Sequence, residues 1–185
     1  MIIYRTARSA QDMEQIIELQ RLNLAATVGE EEARAQGFVT LVHDVALLTD
    51  MNREYGHSVA IDAGQLVGYA LMMPRSFGSR IPALTAMLDQ LAILPWQGRR
   101  LSTMRYFIMG QVCVAKSHRG RGVFAGLYQH LCSRLAADFE VVVTEIASHN
   151  TRSCRAHAKL GFIEIHRYLA KEDTEWIIVG KKCRE

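Results

Sequence analysis

No apolar run in this chain approaches the roughly 20 residues that a membrane-spanning helix needs, so such a span is excluded. The opening residues, MIIYRTARSAQDM, lack the long apolar core of a signal peptide. Cysteine is scarce and unpatterned: Cys113, Cys132, Cys154 and Cys183 show no CxxC and no zinc spacing. That argues against a disulfide framework and a metal site, and reduced thiols in a cytoplasmic protein are expected. Dense basic clustering is missing too. The formal net charge is only +3 over 185 residues, so nucleic acid is not an expected partner. No internal repeat and no low-complexity linker divides the chain.

The residues that are present suit a single domain over 1–185. Hydrophobic residues make up 49% and charged ones 22%, enough for a sizeable core. Positive charge is local, at 99–100, 116–121, 152–155 and 181–184. Residues 2–7 read as a strand. Ser9 caps a helix, with Asp12 at the capping-box position and Met13, Ile16 and Ile17 on one face. Residues 30–36 form a weaker helical piece that Gly37 ends, and 44–54 a further helix capped by Asp44. The apolar stretches 57–61 and 66–73 flank Asp62-Ala63-Gly64-Gln65, a β-hairpin signal.

Residues 74–105 exceed the usual length of a connection. They hold a helix over 83–91 and a turn at Pro95, and read as a packed insertion, an acceptor-site lid or a dimer contact. Next come a strand over 107–114 and a helix over 123–139, whose Phe124, Leu127, Tyr128, Leu131 and Leu135 recur at helical spacing. A buried strand spans 140–147 and a helix 151–160, with Gly161 as its stop. Residues 162–168 and 175–181 close the chain as an antiparallel pair. This order specifies an α/β domain on one mixed central sheet flanked by helices.

The chemistry concentrates in residues 110–127, GQVCVAKSHRGRGVFAGL. An apolar strand enters a loop rich in Gly and Arg, which opens directly into an amphipathic helix. Loop amides and first-turn N–H groups have no internal partners. The helix dipole adds partial positive charge, so a phosphate is the natural ligand of this corner. Gly120 and Gly122 admit a ligand close to the backbone, while Lys116, His118, Arg119 and Arg121 add charge. The pattern GxGxxG is absent, since Ala125 stands at its third glycine, and so is GxxxxGK[ST].

Together with residues 150–162, NTRSCRAHAKLGF, this stretch resembles the GNAT superfamily of acyl-CoA-dependent N-acetyltransferases. The family's signature reads Arg or Gln, two residues, Gly, one residue, then Gly or Ala. Arg119 and Gly122 match its first and fourth positions. Phe124 stands at the sixth, and its place on the apolar stripe predicts a side chain turned into the core. The resemblance implies the GNAT fold, a mostly antiparallel sheet with a parallel central strand pair. It implies acetyl-CoA as cosubstrate and no metal. The cofactor-binding residues it implies are Val112, Cys113 and Val114 on the strand, and Arg119, Gly120, Arg121, Gly122, Val123 and Phe124 at the loop. Asn150, Ser153 and His157 complete the set from the second motif. Arg155 either assists on the phosphate side or lies on an exposed helical face. Cys113 is expected to pack, since nothing in the sequence offers it a base.

The implied reaction is acetyl transfer to a primary amine by direct attack on the thioester. A backbone N–H near Val114 would stabilise the oxyanion. His157 stands where many relatives carry a Tyr that protonates the leaving thiolate. Imidazole, with an ordinary pKa of about 6.5, can give a proton there. The ring otherwise orients the cofactor or packs as a neutral group, with Tyr128 and Tyr168 as further acids. Relatives often place a Glu on the loop strand, but residues 106–114 hold no carboxylate. Glu145, on the neighbouring strand, is then the expected base. A Glu inside an apolar strand is unusual unless partnered or functional, and His149 or a water chain are alternatives. The implied acceptor is an amine-bearing small molecule, a peptide or a protein, and GNAT proteins often form homodimers. A non-catalytic acyl-CoA sensor on the same fold is the alternative function.

Overall fold

A computed structural model of the chain describes residues 1–29, 37–170 and 174–184. The helical piece expected over 30–36 lies outside them. Strand β1 (Ile3–Thr6) leads into α1 (Ala10–Asn23). Ser9 accepts the Asp12 N–H at 3.1 Å, and the Asp12 carboxylate accepts the N–H of Ser9 at 3.1 Å, a complete capping box. The Arg5 guanidinium closes on the same carboxylate at 2.7 and 2.9 Å and holds Asp12 well below the usual carboxylate range. Helix α2 (Val45–Tyr55) starts at Asp44, whose carboxylate accepts the N–H groups of Ala46 and Leu47. Strands β2 (Ser58–Asp62) and β3 (Gln65–Met73) form the expected hairpin. The turn is tighter than the sequence suggested. Asp62 pairs with Gln65, and only Ala63 and Gly64, at φ of 49° and 79°, make the reversal.

Residues 74–105 fold as short 3₁₀ turns, then α3 (Thr85–Ile93) and a miniature hairpin of β4 (Pro95–Trp96) and β5 (Arg99–Arg100). The reversal falls at Gln97 and Gly98, not at Pro95. The insertion covers one end of a sheet face. Ile81, Met87, Leu91, Leu94, Trp96, Leu101 and Met104 form a cluster with Tyr106, Ile108, Val141, Val143 and Ile178 of the sheet. Trp96 packs on Gly180, where a Cβ would meet the indole at 2.9 Å.

The remaining elements are β6 (Tyr106–Val114), α4 (Val123–Leu135), β7 (Val141–Ala147), α5 (Thr151–Lys159), β8 (Ile163–Leu169) and β9 (Glu175–Lys182). Helix α4 stops short of the expected residue 139. Phe139 instead turns back to pack edge-on against Phe107 and Tyr55. The sheet has seven strands in the order β1-β2-β3-β6-β7-β9-β8, all antiparallel except the pair β6–β7. One face packs Leu127, Tyr128 and Leu131 of α4 and Phe162 just beyond α5. The other packs Met13, Ile16 and Ile17 of α1 and Leu48 of α2, with the insertion beside them.

The site depends on how β6 and β7 part. They pair over Tyr106↔Val141, Phe107↔Val142 and Ile108↔Val143 and then diverge. On its other edge β6 bulges: pairing steps from Met72↔Met109 to Leu71↔Gln111 and leaves Gly110 as the extra residue. A gap therefore opens in the middle of the sheet, toward the ends of both strands. Among the described residues, no helix is long and apolar enough to cross a membrane.

Candidate active site

A cavity of about 330 Å³ lies against the loop between β6 and α4. Gly120 and Gly122 have φ of 76° and 80°, and a Cβ on either would meet nothing within 4 Å. Both conditions, left-handed backbone and open space in front, are what an anion cradle at a helix N-terminus needs. All of the expected cofactor residues except Arg121 and His157 line this cavity. Arg121 is exposed and lies 3.8 Å from Asp62. The Arg119 guanidinium donates to the Val114 carbonyl at 3.2 Å and to Asn23 Oδ1 at 2.5 Å, so it braces the loop against the end of α1. His118 borders the cavity, with Nε2 3.1 Å from Asp62 and Nδ1 2.8 Å from Ser117 Oγ.

Phe124 is only partly buried. It packs edge-on against His157, with ring centroids 5.0 Å apart, and against Tyr128 at 5.1 Å, while still lining the cavity. A large residue fits here because these rings draw it aside. Cys113 is buried, and burial pushes its thiol up to about 11, which suits packing and not nucleophilic attack.

A second, smaller cavity of about 80 Å³ occupies the gap itself. Gly110, Gln111 and Val112 of β6 face Thr144, Glu145, Ile146 and Ala147 of β7 across it. The two cavities share Phe38, Val39, Val112, Asn150 and Ser153 as lining, so they lie side by side. Glu145 and His157 both line the smaller one. They reach it from opposite faces of the sheet. Glu145 is on the strand face of Val141 and Val143, the face the insertion covers. His157 packs with Phe124, Tyr128 and Phe162 on the α4 side. No residue of 74–105 lines either cavity.

Burial raises the Glu145 carboxyl to about 7, against the pull of a hydrogen bond donated by the Tyr168 hydroxyl to Oε2. His157 is buried, which lowers its imidazole to about 4. Its Nδ1–H donates to the Ser153 carbonyl at 2.8 Å, so Nε2 carries no proton and accepts from the Tyr128 hydroxyl at 2.7 Å. The ring is a neutral imidazole with both nitrogens engaged.

Phe38 and Val39 line both cavities, and the segment 37–43 that carries them is pinned at several points. Asn150 donates to the Phe38 carbonyl and Gln111 to the Leu41 carbonyl. The His43 N–H donates to Gln20 Oε1, and Phe38 stacks on His149 with centroids 5.3 Å apart. Asn23, Phe38, Thr40 and Trp176 also line the cavities and carry no recognisable signal in the sequence, while Arg152 and Lys159 join them from within the second motif. Each comes from an element outside the two motifs or from a helix face whose neighbour only the fold supplies.

The same fold is found in Ard1 from Thermoplasma volcanium, with a TM-score of 0.66 at 16% identity, covering 100% of this chain and 99% of that one. It is found in the ribosomal-protein-S18-alanine N-acetyltransferase from Escherichia coli, with a TM-score of 0.65 at 12% identity and coverage of 100% and 96%. It is also found in yncA from Salmonella typhimurium, solved with its cofactor acetyl-CoA, with a TM-score of 0.64 at 16% identity and coverage of 100% and 95%. No curated protein matches the chain by sequence. A family model described as the acetyltransferase (GNAT) family matches residues 27–162. That match spans most of the chain, including the glycine loop, the gap between β6 and β7 and the Asn150 motif, and the protein belongs to the GNAT acetyltransferase family.

Proposed function

We propose that this protein is an acetyl-CoA-dependent N-acetyltransferase acting on a primary amine, with Glu145 as the proton acceptor. The observation that carries this reading is the adjacency of the two cavities: the one at the glycine cradle shares five lining residues with the one in the sheet gap that a buried carboxylate lines. The cradle fits acetyl-CoA. Its glycines leave room for a pyrophosphate, and His118, Arg152 and Lys159 add basic groups to the same cavity. Bound there, acetyl-CoA supplies a thioester as the activated acyl donor.

The chain's own residues do the rest. Loop amides hold the phosphates, and the backbone of β6 from Val112 to Val114 lies along the path to the gap. The amine enters from the Glu145 side of the sheet as an ammonium ion. A carboxylate whose affinity for protons lies near neutrality takes one N–H proton and leaves a nucleophilic amine. His157, neutral and engaged at both nitrogens, orients groups at the gap from the opposite side. The acceptor is an amine-bearing small molecule or the amine of a peptide or protein, and the working unit is a monomer or homodimer in the cytoplasm.

A thermal-shift titration with acetyl-CoA and CoA beside ATP and NAD tests the binding step. A ligand specific for the native state at 100 times its Kd stabilises by about 2.7 kcal/mol. A shift confined to the CoA species, and lost in Gly122→Trp, supports the reading, and a primary-amine panel then tests transfer. Binding without transfer to any amine favours the acyl-CoA sensor. No shift with either CoA species overturns both.

A further inference from the structure

We propose that Tyr168 is a positioning residue of this site: its phenol, reaching across β9, holds one carboxylate oxygen of Glu145 and leaves the other to meet the acceptor amine. The inference rests on the reading of Glu145 as proton acceptor. Strand β8 is the sheet edge, separated from β7 by β9. Glu145 pairs with Ile178 of β9, and Trp176, two residues earlier on β9, pairs with Tyr168 of β8. Tyr168 therefore sits one step diagonally from Glu145, on the same face, and its hydroxyl donates to Glu145 Oε2. Register on β8 slips between Glu164 and His166, and this irregularity sets the phase of the strand end that carries Tyr168. The His166 ring lies parallel to the phenol, with centroids 6.4 Å apart.

A carboxylate with two free oxygens can rotate and present either. With Oε2 occupied by a donor, the carboxylate plane is held and Oε1 remains to accept a proton from the ammonium. The exchange is balanced: the amine gives one N–H proton to Oε1, the carboxylate becomes a carboxylic acid, and the phenol keeps its own proton throughout. The phenol also stabilises the charged form, opposing the burial that raises Glu145. Its own acidity is suppressed by its burial and by the neighbouring carboxylate, so it donates and does not ionise. Among the described residues, the titratable groups placed about Glu145 are Tyr168, which bonds it, His166 beside that phenol on β8, and His157 on the same cavity. β9 presents Ile178 and Trp176, which do not titrate.

The test is the pH profile of kcat/KM for Tyr168→Phe beside wild type and Glu145→Gln, on an amine that the wild type acetylates. Wild type is expected to show an acid limb near neutrality that Glu145→Gln abolishes. Survival of that limb in Glu145→Gln overturns the proton-acceptor reading and this inference with it. With the limb assigned to Glu145, Tyr168→Phe is expected to move it up by about one pH unit. The rate then falls about fivefold at pH 7 and recovers within about twofold at pH 9, and KM for acetyl-CoA stays unchanged. An unmoved limb, or a loss equal at every pH, overturns the role of Tyr168 alone. Carbon-13 NMR titration of the Glu145 side-chain carboxyl in both proteins reads the same shift without turnover, and an unshifted carboxyl in folded Tyr168→Phe overturns it as well.

Discussion

The side chain of Asn150 joins the start of α5 to the backbone of Phe38: its amide donates to the Phe38 carbonyl at 3.2 Å while its Oδ1 accepts the Ser153 N–H at 3.2 Å. One residue thus caps a helix and ties down the segment that borders both cavities. Asn150→Ala removes both functions, and the lost cap alone costs about 1 kcal/mol. Asn150→Asp keeps the cap but sets a carboxylate oxygen against the Phe38 carbonyl. The expected outcome is a lowered melting temperature and weakened acetyl-CoA binding in both, from loss of the cap and the tie in Ala and from oxygen–oxygen repulsion at Phe38 in Asp, read by thermal melts and ligand titration.

Gly126 sits inside α4, where alanine ordinarily gains about 1 kcal/mol of helix propensity. Here a Cβ would overlap the ring of Tyr4, which packs from β1. Gly126→Ala is expected to destabilise by about 1–3 kcal/mol, the usual cost of overpacking. With Tyr4→Ala in the background the space opens and the same substitution becomes stabilising. Denaturant melts of the four proteins in this cycle check the change of sign.

Acid should unfold the protein through its histidines. Burial lowers His43, His57 and His157 from the ordinary 6.5 to about 4. Between those values the unfolded chain binds protons that the folded chain refuses, so stability falls as pH drops through this window. Each histidine costs about 2–3 kcal/mol by pH 4, allowing for the spread in such values. Glu145 works in the opposite sense. Its raised value means the folded state takes its proton first, from about pH 7 down, and this offsets part of the loss. Melting temperature is expected to peak near pH 7 and fall steeply toward pH 4. A flat profile over that range contradicts neutral burial of the three rings.

Glu145→Gln separates chemistry from binding. The substitution removes the proton acceptor but keeps a polar group of the same shape for Tyr168 to meet. Transfer is expected to fall by about 10²–10⁴-fold in kcat/KM. The acetyl-CoA-induced thermal shift should stay, and the melting temperature at pH 8 should rise because a buried charge is gone. Steady-state kinetics and thermal melts on one preparation read all three.

Local signals carried the outline of the fold because their physics is local. Ser9 and Asp12 meet three residues apart whatever the rest of the chain does. Gly120 and Gly122 adopt the left-handed backbone that their lack of Cβ permits. The helix predicted over 123–139 ends at Leu135, and Phe139 beyond it packs on two rings distant in sequence, Phe107 and Tyr55, which no local spacing reveals. The sequence of the insertion is compatible with three roles. Its apolar residues prove to cover a sheet face at Gly180, a contact between segments far apart in sequence.

The sequence by itself determined the α/β class, the glycine cradle before α4, the Asn150 motif and the one acidic residue on β7, since each rests on residue types at short spacing. Tertiary structure alone decided that β6 and β7 part beyond Ile108, that the cavity at the cradle lies beside the gap, and that Tyr168 reaches Glu145 across a strand. Those relationships depend on strand order, a bulge at Gly110 and a register slip in β8. A side-chain meeting set by register is invisible to any local window, because moving a strand by one residue turns every side chain to the other face.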